Sequence, residues 1–292
     1  MDCLLLGPPP ADCSNNEPVY RISSDKSILG VGSGSGFSGA GLKIDGDEFS
    51  TKSRNIIIRN INIENAPDGY DGMGIQDGAL CIWIDHCSFS KPAPGTDGAL
   101  DIKKGSDYIT ISWNFFADYE VVRDNDDDND FRSMLIGSNN GEIGDKEKLH
   151  VTLHHNRFID CDQRLPRVRF SKLVHVYNNF YQNVEAYAIG SAMGAYVLVE
   201  GNYFDTVEDP IDTCVGVGGG DPAGVPGFAA ERDNVYIDSP AGACHAELGV
   251  EDLPADELTY SYAADSPQLI PDITLLGAGT GKIVCGSDGL CA

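Results

Sequence analysis

Three aspartates with the character of metal ligands lie beside short hydrophobic segments: Asp71, Asp97 and Asp101. Asp97 and Asp101 flank a turn into a strand, and stacked turns of the chain would bring Asp71 alongside them. Carboxylate oxygens are hard ligands, which suit Ca²⁺ better than Zn²⁺ or Cu²⁺. Because Asp and Gly are also the commonest turn residues, the pattern alone leaves an ordinary turn open.

A second group consists of three arginines within six residues, Arg164, Arg167 and Arg169. Side chains alternate along an extended chain, so Arg167 and Arg169 are predicted to share a face, while Pro166 re-aims Arg164. The planar fork of arginine matches a carboxylate, and this cluster could clamp an anionic ligand. Ion pairs with surface acids are the alternative interpretation.

Other polar residues suggest structural roles or leave the choice open. Trp83 and His86 indicate a buried aromatic ring and a hydrogen-bonded histidine. Lys103 and Lys104 could support the arginine clamp or bind carbonyl groups at the strand start. The run DNDDDND, within residues 118–131, lacks the Gly and terminal Glu of an EF-hand loop and favours a solvated loop.

Composition restricts the function classes. The 292 residues carry 45 acidic and 20 basic side chains, a net charge of −25, which argues against nucleic-acid binding. No apolar run is long enough to span a membrane. Nine cysteines predict disulfides Cys3–Cys13, Cys214–Cys244 and Cys285–Cys291 in an oxidising, extracellular compartment, whereas Cys81 and Cys87 are expected to be buried apolar residues. The opening residues do not form a secretory signal, so either the chain is not secreted by that route or its true beginning is missing.

Six segments repeat one pattern, a β-rich run followed by Asn or His and an apolar or aromatic pair. The marker residues are separated by 26, 28, 42, 23 and 23 positions; they are Asn60, His86, Asn114, Asn156, Asn179 and Asn202. This period predicts an all-β parallel β-helix with asparagines stacked between coils. The 42-residue gap predicts a protruding insertion at 118–131, and the irregular C-terminal tail is expected to pack back along the stack as a cap. We expect one domain over residues 1–292.

These segments together resemble the pectate lyase family of polysaccharide lyases, within the pectate lyase/pectin lyase superfamily. The resemblance covers roughly residues 20–205 in family order. Its principal motifs are DGMGIQ (71–76), WIDHCSF (83–89), DGALDIKKGSDYITISWN (97–114), VTLHHNRF (151–158), QRLPRVRF (163–170) and VHVYNNFY (174–181).

The resemblance implies a single-stranded right-handed parallel β-helix. It also implies calcium bound at Asp71, Asp97 and Asp101, a catalytic Arg164, and Arg169 binding the substrate carboxylate. We assign Arg167 and Arg132 to substrate binding as well, although Arg132 falls where the family usually carries Lys. There is one extra residue between Gln76 and Trp83, and the N-terminal cap and first coils of the family are expected to be missing.

The implied activity is calcium-dependent β-elimination of (1→4)-α-D-galacturonan, an acidic polysaccharide, by a secreted monomer. A pectin lyase acting on methyl-esterified polymer is one alternative, disfavoured by the three retained aspartates. A β-helical glycoside hydrolase would need a pair of acid and base carboxylates. A non-catalytic pectin-binding homologue is the alternative outside the enzymes.

Overall fold

The computed structural model describes residues 19–46, 52–90, 92, 95–119, 132–242, 244–254, 258–285 and 291. Their strands follow one another in cycles of three, and each strand pairs in parallel with its counterpart in the next cycle. Three columns of strands result, and the first and third join through β13 and β15 into one sheet. The predicted parallel β-helix is confirmed.

The bounds of the strands define the columns. The first column contains β1 (Val19–Arg21), β4 (Gly41–Asp45), β7 (Met73–Gln76), β10 (Gly98–Ile102), β13 (Arg132–Ile136), β16 (Arg167–Arg169), β19 (Ile189–Ala192) and β22 (Ile211–Asp212). The second contains β2 (Lys26–Leu29), β5 (Arg54–Arg59), β8 (Leu80–Asp85), β11 (Asp107–Ser112), β14 (Val151–His154), β17 (Val174–Tyr177), β20 (Tyr196–Glu200), β23 (Phe228–Arg232) and β25 (Glu247–Leu248). The third contains β3 (Gly36–Ser38), β6 (Asn62–Glu64), β9 (Ser88–Ser90), β12 (Phe115–Tyr119), β15 (Arg157–Gln163), β18 (Phe180–Tyr187), β21 (Tyr203–Val207) and β24 (Val235–Ile237).

The core runs along the axis of the stack because alternate strand residues point inward. Side chains of one kind lie above one another, as the rings of the third column show. Neighbouring rings there are nearly parallel, with centroids 4.7–5.1 Å apart. The stacked rings are those of Phe89, Phe116, Phe158, Tyr181, Phe204 and Tyr236. Burying each fully enclosed Phe stabilises the fold by about 1.5–3 kcal/mol.

A ladder of asparagines closes the turn between the second and third columns. The ladder consists of Asn114, Asn156, Asn179, Asn202 and Asn234. From Asn156 onward, each side-chain oxygen accepts hydrogen bonds from the backbone and side chain of the asparagine one coil earlier. The prediction was wrong for two markers, since Asn60 and His86 occupy the preceding position of the turn. That position has positive φ, which Asn tolerates, so Asn fits either place in the turn.

The C-terminal tail packs back along the outside of the stack, as predicted, against the second column and, further along, against Arg157 of the third. Tyr260 contacts Thr152 and His175, and further along the tail Gly281 reaches Asn60. The tail is also less irregular than expected. Besides β25 it contains the helix α1 (Ile270–Gly277) and two 3₁₀ helices, Val250–Asp252 and Pro267–Leu269; a third 3₁₀ helix, Ile143–Asp145, lies earlier in the chain.

The cysteines follow the prediction with one exception. Cys214–Cys244 and Cys285–Cys291 form disulfides, and Cys87 is buried. Cys81 is exposed, because it lies on the outward face of β8, and the prediction that it is buried was wrong. The predicted Cys3–Cys13 pair lies outside the described residues.

The remaining structural predictions concern two regions. Within the predicted insertion, β12 includes residues 118 and 119, and residues 120–131 lie outside the described part. His86 bonds Asp85, and Trp83 donates to Ser112 while Arg59 lies over its ring, which fits structural roles on the second column. Among the described residues, no helix is long and apolar enough to cross a membrane.

Candidate active site

The three aspartates are brought together at two neighbouring strands of the first column, β7 and β10. Asp71 precedes β7, Asp97 precedes β10, and Asp101 lies within β10. Each offers a carboxylate oxygen, and these oxygens all lie within 4.8 Å of one another. Gly98 lies beside these carboxylates, and a Cβ there would stand 2.6 Å from the backbone oxygen of Arg132 and 3.2 Å from Asp71 Oδ1.

This carboxylate cluster is short of positive charge. Asp71 and Asp101 are largely buried, and Asp71 Oδ1 has no hydrogen-bond partner in the described part of the chain. Burial, reinforced by the charge of Asp101, raises the pKa of Asp71 to about 8, and burial raises the pKa of Asp101 as well. Buried carboxylates that resist ionisation, one of them with an orphan oxygen, are a donor set that a hard cation fits.

Lys103 is the nearest cation that the structure describes in this cluster. Its Nζ lies 2.8 Å from Asp101 Oδ2 and 3.5 Å from Asp71 Oδ2. Burial works against its charge, but the two carboxylates prevail and raise the pKa of Lys103 above its usual value. Lys104 lies apart, 3.6 Å from Asp77, so neither lysine takes part in the arginine clamp that the sequence left open for them.

The arginines lie further along the same column. Arg164 follows β15 with φ of 63°, and Arg167 and Arg169 lie in β16 on either side of the buried Val168, so they share the outward face as predicted. Arg132 begins β13, which lies between β10 and β16. Neighbouring strands are about 4.8 Å apart, so roughly 10 Å separates the strand of Asp101 from that of the arginines.

The guanidinium groups act on one another. Burial, followed by the charges of Arg167 and Arg164, lowers the pKa of Arg169 to about 10. Burial also lowers the pKa of Arg164, to which the charges of Arg132 and Arg167 contribute although Tyr187 opposes the shift. Burial and neighbouring like charges each disfavour the charged form of arginine, and both act on Arg164 and Arg169.

Protein groups hold some of these arginines in place. Arg169 donates from Nη1 to the carbonyls of Gly137 and Ser138 and from Nε to Asn140. Arg167 donates to the carbonyl of Val215 at 3.3 Å. Arg132 Nη1 lies 3.9 Å from Asp97 Oδ1 and so connects the two clusters. A surface with acids at one end and guanidiniums at the other can bind an anionic chain together with a cation.

The model of the pectate lyase family matches residues 14–282. The chain belongs to the pectate lyase family. A pectate trisaccharide-lyase of Bacillus licheniformis is 31% identical over 265 residues, which are 89% of this chain and 68% of that protein. A pectate trisaccharide-lyase of Thermotoga maritima is 35% identical over an alignment of 301 positions, gaps included, that covers 90% of this chain and 73% of that protein.

Solved structures agree with this membership. The crystal structure of a pectate lyase from Bacillus sp. N165 in complex with trigalacturonate superposes with a TM-score of 0.70 at 27% identity. The match covers 91% of this chain and 81% of that one. The chain therefore has the family fold over nearly its whole length.

Sequence reasoning missed three residues at this site. Lys103 was left undecided, although it lies two residues after Asp101 and alternation along an extended chain places the two side chains on one face. Asn140, which holds Arg169, carries no sequence signal. Tyr187 could have been found, because the 23-residue period places it one coil beyond Arg164.

Proposed function

We propose that this protein is a pectate lyase that cleaves (1→4)-α-D-galacturonan by calcium-dependent β-elimination. The observation that carries the proposal is the arrangement of a carboxylate cluster and a guanidinium cluster on neighbouring coils of one column, in a member of this family. A polyanionic substrate needs local positive charge on a protein whose net charge is −25, and the arginines supply it.

The donor set of Asp71, Asp97 and Asp101 fits Ca²⁺, which takes carboxylate oxygens in a flexible geometry. Bound there, calcium would supply positive charge beside a uronate carboxylate and favour the enolate-like transition state. In the described part of the chain, Asp97 is the most exposed of the three, with 54% of its side chain accessible, and it would face the substrate.

The arginines have separate tasks in the proposed reaction. Arg169 is fixed through Nε and Nη1 by protein acceptors, and it binds the substrate carboxylate. Arg132 and Arg167 extend this contact along the polyanion. Because protein acceptors hold Arg169 and Arg167 in place, these residues do not need to reorganise during the reaction.

Arg164 would be the base. Its neutral form accepts the proton from C5 of a galacturonate residue, the C5–H electrons form the C4=C5 double bond, and the C4–O bond breaks; the departing O4 takes a proton from water. Free arginine stays protonated at ordinary pH. Here burial and the charges of Arg132 and Arg167 lower the pKa of Arg164, which increases the neutral fraction at alkaline pH.

The ultraviolet absorbance of the unsaturated product tests the proposal directly. Purified protein is incubated with polygalacturonate in Ca²⁺ or in EDTA, and methyl-esterified pectin serves as the second substrate. A lyase that depends on calcium raises the absorbance only in Ca²⁺ and prefers the unesterified polymer. Saturated products would indicate a hydrolase, esterified pectin cleaved in EDTA would indicate a pectin lyase, and binding without cleavage would indicate a non-catalytic homologue.

Arg164→Lys tests the catalytic assignment. It keeps a positive charge but loses the guanidine, and we expect kcat to fall by about 100-fold or more. Arg157→Lys is the matched control, since Arg157 contacts α1 through the carbonyl of Pro271 and lies outside the cluster. Near-wild-type activity of Arg164→Lys would refute its proposed role.

Secretion is the remaining part of the proposal. Two disulfides, Cys214–Cys244 and Cys285–Cys291, support an oxidising extracellular compartment, which is also where pectate would be encountered. Detection of the protein in culture medium, with these cysteines resistant to alkylation, would be the expected result.

A further inference from the structure

Tyr187 stands beside the proposed base. It ends β18, and its backbone pairs with Gln163, the residue before Arg164. Its ring packs on Gly190 of β19, where an added Cβ would lie only 2.7 Å from ring atom Cε2. A glycine at this position therefore lets the ring lie against the strand, and the packing fixes the direction of the phenol.

The hydroxyl of Tyr187 is buried, and no residue in the described ranges completes a well-aligned hydrogen bond to it. Its surroundings are cationic, because Arg164, Arg167 and Arg169 all act on it electrostatically. A buried hydroxyl without a partner costs about 1–3 kcal/mol. A hydrogen bond from one of the arginines beside it would offset this cost.

Tyr187 and Arg164 influence each other. Burial raises the pKa of Tyr187, while the charge and hydrogen-bonding capacity of Arg164 oppose that rise. Tyr187 in turn raises the pKa of Arg164 against the effect of burial. Arg164 Nε is itself buried without a partner among the described residues, so this side chain depends on few contacts for its orientation.

We propose that Tyr187 is a positioning residue whose hydroxyl accepts a hydrogen bond from the guanidine of Arg164 and holds it toward the substrate. This inference rests on the proposed function. The phenol contributes no proton and no electron pair to the elimination. It restricts the rotation of Arg164 so that the reactive nitrogen stays aligned with C5, because a small misplacement of a catalytic group lowers the rate strongly.

Tyr181 provides a matched control on the same strand. Its hydroxyl is also buried and lacks a partner in the described part of the chain, but its ring lies in the aromatic stack between Phe158 and Phe204. Only burial acts on its pKa, which is raised well above the usual value. Tyr181→Phe therefore removes an equally buried hydroxyl without touching the arginines.

The test compares Tyr187→Phe with Tyr181→Phe on polygalacturonate. For Tyr187→Phe we expect kcat to fall about tenfold while KM changes less than about twofold, since the loss affects a group used in the transition state. The acid limb of its kcat–pH profile should move to lower pH, because the phenol no longer raises the pKa of Arg164. Tyr181→Phe should change neither quantity. An unchanged kcat and pH profile in Tyr187→Phe, or equal losses in both variants, would overturn the inference.

A second readout does not depend on activity. Nitrogen NMR of the Arg164 guanidino group should show slow side-chain rotation in the wild type and faster rotation in Tyr187→Phe. Equal rotation in both proteins would overturn the inference even if pectate is cleaved. If the wild type does not cleave pectate, the proposed function fails, and this measurement still decides whether Tyr187 holds Arg164.

Discussion

Replacing Lys103 with Met should destabilise the calcium-free protein strongly. The lysine nitrogen lies 2.8 Å and 3.5 Å from two carboxylates, and its side chain is only 20% exposed. At an effective dielectric constant of about 20, each contact is worth roughly 5–6 kcal/mol before desolvation. Breaking such a buried pair typically costs about 3–5 kcal/mol.

The loss should depend on pH and on calcium. Because the folded-state pKa of Asp71 is raised to about 8 from 3.8, this group favours folding at low pH and progressively less as pH rises through that window. The Lys103→Met substitution should therefore destabilise the calcium-free protein most at and above pH 8. We expect a loss of about 3 kcal/mol, which corresponds to roughly 10 °C in melting temperature. Saturating Ca²⁺ should restore much of this loss, since it supplies the missing charge.

Thermal unfolding in EDTA and in Ca²⁺, followed by circular dichroism, measures both effects. Lys104→Met is the control, because Lys104 and Asp77 form an exposed pair at 3.6 Å that contributes about 0–1 kcal/mol. A Lys103→Met protein that melts with the wild type in EDTA, or gains no more from Ca²⁺ than the wild type does, would refute the account of the carboxylate cluster.

Three further predictions concern the ladder, acid stability and the approach of the carboxylates. Asn179→Ala should lower the free energy of unfolding in urea by about 2–4 kcal/mol, since it leaves several buried ladder groups unbonded, whereas the exposed Asn183→Ala should cost under about 1 kcal/mol; equal losses would contradict this. Burial lowers the pKa of His154 to about 3 from 6.5, so folding loses stability as pH falls from 6.5 toward 3, and His154→Phe should unfold at a lower pH in an acid titration than the wild type; an unchanged midpoint would count against it. Gly98→Ala should weaken Ca²⁺ binding by about tenfold in calorimetry, because its methyl would stand 2.6 Å from a backbone oxygen and 3.2 Å from Asp71 Oδ1; unchanged affinity would show that the carboxylates can move apart freely.

The fold was largely predictable because its signal is repeated. Each coil buries the same alternating apolar residues, so the period survives insertions, and Asn156, Asn179 and Asn202 mark it at 23-residue intervals. The register of single positions was less secure. Asn60 and His86 were placed in the ladder although they occupy the αL position before it, because one residue type suits both places of that turn.

The arrangement of the tail was only partly predictable. Its lack of a period indicated that it packs back along the stack, but no local pattern specifies which outer surface it covers. Its position depends on distant partners such as Thr152 and His175, which bind Tyr260. Contacts of this kind leave no spacing signal in the chain.

The sequence by itself determined the repeated coil and the chemical types of the charged residues, since periodic burial and side-chain chemistry are local properties. Only the tertiary structure decided that Lys103 pairs with both Asp71 and Asp101, and that a buried phenol adjoins Arg164. These contacts depend on which residues of separate coils face one another. Their free energies come from desolvation and from interactions between charges in the folded structure.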